Sequence, residues 1–255
     1  MLRNFKADLH VHTCLSPCAD LSMGPRSIVS MAVRRALDII GITDHNSCEN
    51  TPAVLRAAGP SLTVLPGMEV TSREEVHILA LFDHLDSVFR LQNLVYEHLP
   101  GENTDEAFGT QVIVNEDHDV LGFSRRLLAG ATDLSVEQVV DSIHRFDGLA
   151  IASHFDRPTF GIIGQLGFIP ASLPLDGLEV SGNIAADEAR RRYSDCAGRP
   201  LVRFSDAHTI DDVGAASTWF VMAEASVAEI RRALQGDHGR RALVGQHTAA
   251  ADYAN

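Results

Sequence analysis

The sequence predicts an α/β fold, a (β/α)7 TIM-like barrel interrupted by a β-hairpin insertion. Three observations lead there. Short apolar runs alternate with amphipathic helical segments over about seven units, the pattern of a parallel barrel. The chain has 255 residues, enough for one such domain. Clusters of His, Asp and Glu fall at or just after the ends of the apolar runs, the face where barrels carry their chemistry.

Lys6 to Val11 forms the expected first strand. Pro25, a favoured first-turn residue, opens a helix with Ile28, Val29, Met31, Ala32 and Ala36 on one face. Asp38 to Thr43 is the second strand, and Thr51-Pro52 starts a short helix that Gly59 stops. Leu62 to Leu65 and Val76 to Phe82 read as strands three and four, followed by a helix from Leu85 to Leu99. The rhythm then breaks. Residues 101–133 read as an insertion, in which Gln111–Val114 and Val120–Phe123 flank a polar turn as a β-hairpin. Ser135 with Gln138 three residues on is a capping-box pattern for the next helix, which Gly148 ends. Leu149–Ser153, Leu178–Ser181 and Leu201–Ser205 read as strands five to seven, with a polar helix from about Ala185 to Cys196 before the last. Thr218–Met222 is a final strand, and Ser226 with Glu229 caps a closing helix that stops at Gly236. Residues 1–245 are therefore expected to form a single domain, and 246–255 a frayed tail.

Composition narrows the classes. Hydrophobic residues make up 45% of the chain, sufficient for a full core. The balance of 21 Lys+Arg against 34 Asp+Glu gives a net charge of −13, which disfavours long nucleic acid as a partner because phosphate backbones are held by cations. No signal-peptide or membrane-spanning pattern is visible, and four Cys in a chain of this length make no disulfide framework, so a cytoplasmic setting is expected.

The chemistry-bearing motifs are Asp8-Leu9-His10-Val11-His12, Thr43-Asp44-His45, Gly67-Met68-Glu69, Val76-His77, Ser153-His154 and Ser205-Asp206-Ala207-His208. Residues two apart in a strand face the same side, so His10 and His12 are directed at one point, as are Asp206 and His208. A single His-x-His is weak evidence. The recurrence of such groups at successive strand ends outlines a multinuclear metal site.

At these residues the chain resembles the PHP (polymerase and histidinol phosphatase) superfamily, from Asp8-Leu9-His10-Val11-His12-Thr13 to Ser205-Asp206-Ala207-His208-Thr209, in the family's motif order. The resemblance implies a distorted barrel holding two or three divalent metals (Zn, Mn or Fe) and acting as a phosphoesterase. It implies one metal on His10, His12, Glu69 and Asp206. A second shares Glu69 and adds His77 and His154. A third takes His45, His208 and Asp20. The family's acidic residue five positions after the second histidine is replaced here by Pro17. Asp20 takes the role if the loop Cys14–Asp20 is three residues longer, an assignment supported by its usual interval to Pro25. Asp8 and Asp44 are expected to orient ligand imidazoles by accepting their second N–H.

A phosphoesterase of this kind uses a hydroxide bridging the Glu69-linked metal pair, so Glu69 and Asp206 count among the catalytic residues. Arg157, three residues after His154, supplies a fork for the substrate phosphate. The expected substrate is a phosphate ester of a small metabolite, nucleotide or short oligonucleotide. The alternative readings are a metal-dependent hydrolase of a non-phosphate bond and a non-catalytic metal-sensing module. Activity is expected to fall in acid, since the imidazoles must be neutral to ligate. Cys14, Cys18 and Cys48 beside the ligand motifs read as small buried residues in tight loops, with a redox-sensitive or thiolate-ligand role as the alternative. The hairpin insertion is positioned to cover the site and set substrate choice.

Overall fold

The computed structural model describes residues 1–244, which contain eleven strands and eight α-helices. The strands are β1 (Arg3–Val11), β2 (Ile39–Ile42), β3 (Thr63–Thr71), β4 (His77–Leu81), β5 (Val112–Val114), β6 (Val120–Phe123), β7 (Leu149–Ala152), β8 (Gly177–Glu179), β9 (Leu201–Val202), β10 (Thr218–Met222) and β11 (Arg241–Val244). The helices are α1 (Pro25–Arg34), α2 (Thr51–Ala58), α3 (Leu85–His98), α4 (Asp105–Phe108), α5 (Val136–Arg145), α6 (Ile162–Leu166), α7 (Ala186–Arg192) and α8 (Val227–Leu234). Nine strands make one sheet in the order β11-β10-β1-β2-β3-β4-β7-β8-β9, curled into a nearly closed barrel, and β5-β6 form a separate hairpin. No helix among the described residues is long and apolar enough to cross a membrane.

Alternation along the strands builds two layers. Alternate residues (Phe5, Ala7, Leu9, Ile39, Leu65, Leu79, Leu81, Leu149 and Ile151) fill the barrel, and Val227, Ile230 and Ala233 of α8 pack into the same cluster. Met68, Val70, Ile78 and Ala80 face outward, against Val88 and Leu91 of α3 and Val139 and Ile143 of α5. Each fully buried aliphatic of this kind contributes about 1.5–3 kcal/mol. Ile28 and Met31 of α1 and Val54 of α2 cover Ile40 and Ile42 in a third cluster. Ala36 does not belong to that face: α1 ends at Arg34, and Ala36 is exposed with φ of 52°.

The sheet is not wholly parallel, contrary to the expectation. β4 runs antiparallel to both β3 and β7, and β10 runs antiparallel to β1 and β11. Strand three also continues well past Leu65, because Pro66-Gly67 is not the turn it resembles. Pro66 needs no ladder N–H there, and its carbonyl accepts the Phe82 amide at 2.8 Å. A Cβ on Gly67 would meet the Ala80 carbonyl at 2.7 Å, so only glycine allows the two strands their approach. The extended β3 carries Glu69 into the barrel mouth, and the short turn Ser72–Val76 returns the chain as β4. The helices α4 and α6 and the strand β11 were not foreseen; α4 and α6 are one-turn elements with too few residues to show a period. The Ser135 capping box is present in full. The expected tail, 246–255, lies outside the described residues.

A bulge in β1 sets the site. Phe5, Ala7 and Leu9 point into the barrel, yet Val11 packs outside with Met23 and Ile28. The register against β2 shifts between Asp8 and Val11. One residue of slip reverses the alternation, which turns His10 and His12 inward beyond Leu9.

Candidate metal centre

Glu69 is the hub. Its side chain is 1% exposed, and its two oxygens face imidazoles from four strand ends. His77 Nδ1 lies at 3.0 Å, His45 Nδ1 at 3.1 Å, His10 Nε2 and His154 Nε2 at 3.3 Å, and His12 Nε2 at 3.6 Å. Asp206 Oδ1 approaches His10 Nε2 at 3.2 Å and His12 Nε2 at 3.3 Å from the opposite side. Ligand atoms of His10, His12, Glu69 and Asp206 all lie within 4.8 Å of one another, as do those of His45, Glu69 and His77, and those of His12, His45 and His208. His154 meets the first two groups at Glu69, with its ring centroid 5.9 Å from that of His10 and 5.4 Å from that of His77. Its backbone, like that of Asp206, has positive φ (27° and 52°). Such outliers are tolerated where surrounding contacts over-determine a functional turn.

This donor set fits divalent cations. Both Glu69 oxygens, His77 Nδ1 and His154 Nδ1 are buried without a hydrogen bond, although the Glu69–His77 distance would allow one. Buried polar atoms are ordinarily satisfied. These close, misaligned contacts are what results when lone pairs converge on a common point rather than on each other. The electrostatics agree. Burial raises the Glu69 carboxyl, but His77, His10 and His45 outweigh it and hold the group well below the usual carboxylate range. Burial lowers His10, yet Glu179, Asp206 and Glu69 push it well above the ordinary imidazole value. Burial and the neighbouring His208 drive His12 well below that value. His77 is carried down to about 4 chiefly by burial, whereas His45 is lifted to about 10 because Glu69 and Cys18 overcome the effect of burial.

The imidazoles are oriented by groups other than those expected. Asp8 accepts from Ser205 N, Ser205 Oγ and Gly214 N, and so ties the loop bearing Asp206 to β1. Asp44 accepts from Thr13 N and Oγ1 and from Ser16 Oγ. Neither touches an imidazole directly, because both point away from the mouth into adjoining loops. Ser16 relays Asp44 to His12, whose Nδ1 lies 2.9 Å from the hydroxyl. Glu179, which the sequence reading passed over, faces His10 Nδ1 at 2.9 Å and accepts the His154 amide at 3.0 Å. Its signal was present: an isolated acid within the buried strand Gly177-Leu178-Glu179-Val180 demands a partner.

Arg157 is held at the mouth by its Nη1, 2.7 Å from Asp206 Oδ2. The neighbouring Asp156 is not its partner and instead accepts from Ser181 N and Oγ. Asp20 does not join the cluster. Its exposed carboxylate accepts the Ser22 amide at 2.7 Å in a local turn, while only its backbone N–H reaches His208, through the carbonyl. Cys18 stands where the acid was expected, with Sγ 3.0 Å from His208 Nε2. Partial burial opposes ionisation of this thiol, but hydrogen bonds from His208 and His45 bring it to about 6. Cys14 and Cys48 are buried, and burial pushes Cys14 to about 12 and Cys48 well above the usual thiol value.

The β5–β6 hairpin lies along the same loop. Val112 N donates to the Cys14 carbonyl, and Asn50 clamps the hairpin by accepting from Val114 N and donating to Val112 O. Ion pairs Arg26–Asp117 and Arg56–Glu116 fix its tip to α1 and α2.

Fold and mouth together define a class: an α/β barrel whose strand ends gather imidazoles and carboxylates around one buried glutamate. Residues 188–237 match the family model described as PHP-associated. That match is confined to those residues, about a fifth of the chain, from α7 to just past the end of α8. The lesion-specific endonuclease PfuEndoQ of Pyrococcus furiosus has a similar structure, with a TM-score of 0.75 at 19% identity over 94% of this chain and 58% of the endonuclease. A two-domain protein of Bacteroides vulgatus, containing a predicted PHP-like metal-dependent phosphoesterase, gives 0.53 at 16% identity over 95% of this chain and 65% of that one. In sequence, 80 residues are 32% identical to the 5'-3' exoribonuclease Rnm of Salmonella typhimurium, covering 29% of this chain and 26% of the exoribonuclease. This chain thus spans little more than half of the endonuclease and about a quarter of the exoribonuclease.

These likenesses overturn the expectation that long nucleic acid is excluded. Endonuclease Q, similar with a TM-score of 0.74, has been seen in complex with a 27-mer duplex carrying an abasic lesion at its active site. Net charge was the wrong quantity to use. It sums the whole surface, whereas a phosphate backbone responds to charges within about 8–10 Å of the groove.

Proposed function

We propose that this protein is a metal-dependent phosphoester hydrolase, with nucleic acid as its substrate class. The observation that carries the reading is the buried Glu69 carboxylate, neither of whose oxygens has a hydrogen-bond partner, set among imidazoles and Asp206 whose ligand atoms crowd, in groups of three or four, within 4.8 Å of one another. His10, His12, Glu69 and Asp206 would hold one cation, Glu69 with His77 and His154 would hold a second, and His45 would contribute from the outer side. When bound, divalent cations supply a nucleophile at neutral pH and a sink for the charge that develops on phosphate oxygens.

The chain's own groups do the rest. Glu179 accepts from His10 Nδ1, which leaves Nε2 free to face the centre, and Ser16 does the same for His12. Arg157 anchors a non-bridging phosphate oxygen; its fork keeps further N–H donors beyond the one spent on Asp206. Protons and cations compete for the same nitrogens, so activity falls as the pH is lowered.

The test combines metal analysis with hydrolysis of p-nitrophenyl phosphate, bis-p-nitrophenyl phosphate and single- and double-stranded oligonucleotides, for the wild type and Glu69→Gln. Bound metal with cleavage of the diester and oligonucleotides, both lost in the variant, is the expected result. Metal-loaded protein that cleaves no phosphoester would overturn it.

A further inference from the structure

The loop Cys14–Asp20 presents a thiol, not a carboxylate, to the outer imidazoles. We propose that Cys18 is a thiolate ligand of a cation site formed with His45 and His208, and that this site selects zinc over manganese. The inference rests on the proposed metal chemistry of the centre and concerns only which residue completes its outer edge.

Three observations support it. The imidazoles of His12, His45 and His208 already bring ligand atoms within 4.8 Å of one another. Cys18 Sγ lies 3.0 Å from His208 Nε2, close to the roughly 3.5 Å expected between sulfur and nitrogen ligands of one tetrahedral zinc. The backbone fixes this choice. Ala19 N bonds Ser16 O, Asp20 N bonds His208 O, and Met23 N bonds Asp20 O, a course of turns that leaves Cys18 beside His208 and the Asp20 carboxylate on the Ser22 amide. Thiolate with imidazole is a zinc donor set, whereas manganese prefers oxygen.

Cadmium and cobalt report the thiolate directly. Titration of the metal-free protein with either ion is expected to give a sulfur-to-metal charge-transfer band in the ultraviolet for the wild type and Asp20→Asn. Cys18→Ala should lose that band and bind one equivalent fewer. Since Cys18 is exposed, the substitution leaves the core intact, and circular dichroism of the variant checks this. Zinc should also protect Cys18 from alkylation while manganese does not. A band retained in Cys18→Ala, or an outer cation lost in Asp20→Asn but kept in Cys18→Ala, would overturn the proposal. Cations bound without any band would leave the phosphoesterase reading standing and reduce the Cys18–His208 contact to a hydrogen bond. Failure to bind any cation would remove both.

Discussion

His10, Glu69 and His77 project from hydrogen-bonded strands, whereas His45, His208 and Cys18 hang from the loops that follow strands. The difference shows in exposure: the side chains of His10 and Glu69 are 0% and 1% exposed, against 12% for His45 and 27% for His208. It shows also in how each side chain is fixed. Inner ligands inherit position from the ladder, since Glu69 is paired with Leu79 and Thr71 with His77 across one hairpin. Outer ligands depend on side-chain contacts and turns, as His208 does through its own segment's carbonyl at Asp206 and through Cys18. Rigid scaffolding therefore belongs to the inner pair of sites, and adaptability in donor type to the rim.

The sharpest attempt to break this contrast is Glu69→Gln. Removing the shared carboxylate should empty both inner sites and abolish hydrolysis, with metal analysis as the readout; retention of two inner cations would contradict the hub. Next comes Glu179→Gln, which leaves His10 without its charged acceptor. A loss of about 10–100-fold in metal affinity or activity is expected, confined to the cation that His10 binds. Arg157→Ala tests the mouth rather than the ligands. It should cost about 2 kcal/mol, or roughly thirtyfold in kcat/KM, with metal content unchanged and with only partial rescue by Arg157→Lys.

A smaller effect, remote from both sites, sets the baseline. Glu229 of α8 is paired with Arg240 and Arg232 and accepts the Ala223 amide. The Arg240 hydrogen bond is the leading influence holding its carboxyl down to about 2, from an ordinary value of 4.5. A depressed carboxyl contributes its stability above the ordinary value and loses it as the pH falls toward 2. Glu229→Gln should lower Tm by a few degrees at pH 7, and the gap from wild type should close in the window from 4.5 down to about 2. A gap that persists at the acid end would mean that packing, not charge, is being measured.

The same inner–outer division governs what could be read from sequence. His10 and His12 were legible because residues two apart in a strand share a face, and Glu69 and His77 because they stand in motifs beside apolar runs. Even so, the bulge in β1 was invisible, since a single-residue slip leaves no mark on composition. The direction of β4 was lost with the end of β3: Pro66-Gly67 satisfies every local rule for a turn, and only the opposing Ala80 carbonyl explains why glycine is there. Asp20 failed for a loop's reason. A carboxylate can close a turn on its own backbone, and spacing along the chain says nothing about which of two nearby polar residues faces inward. Glu179 went unnoticed because its partners, His10 and His154, arrive from distant segments.

One detail of the mouth carries a mechanical consequence. Ala207 exchanges two backbone hydrogen bonds with β1, from His12 N at 3.0 Å and to the His10 carbonyl at 3.1 Å. Its neighbours in sequence are Asp206 and His208, and its partners across the gap are His10 and His12, so all four side chains that straddle this seam also converge on the centre. The hoop of the barrel is fastened at that end by a clasp whose studs are the ligands. Prising the seam open and emptying the centre then become a single event, and amide exchange at His12 and Ala207 should slow in step with cation occupancy.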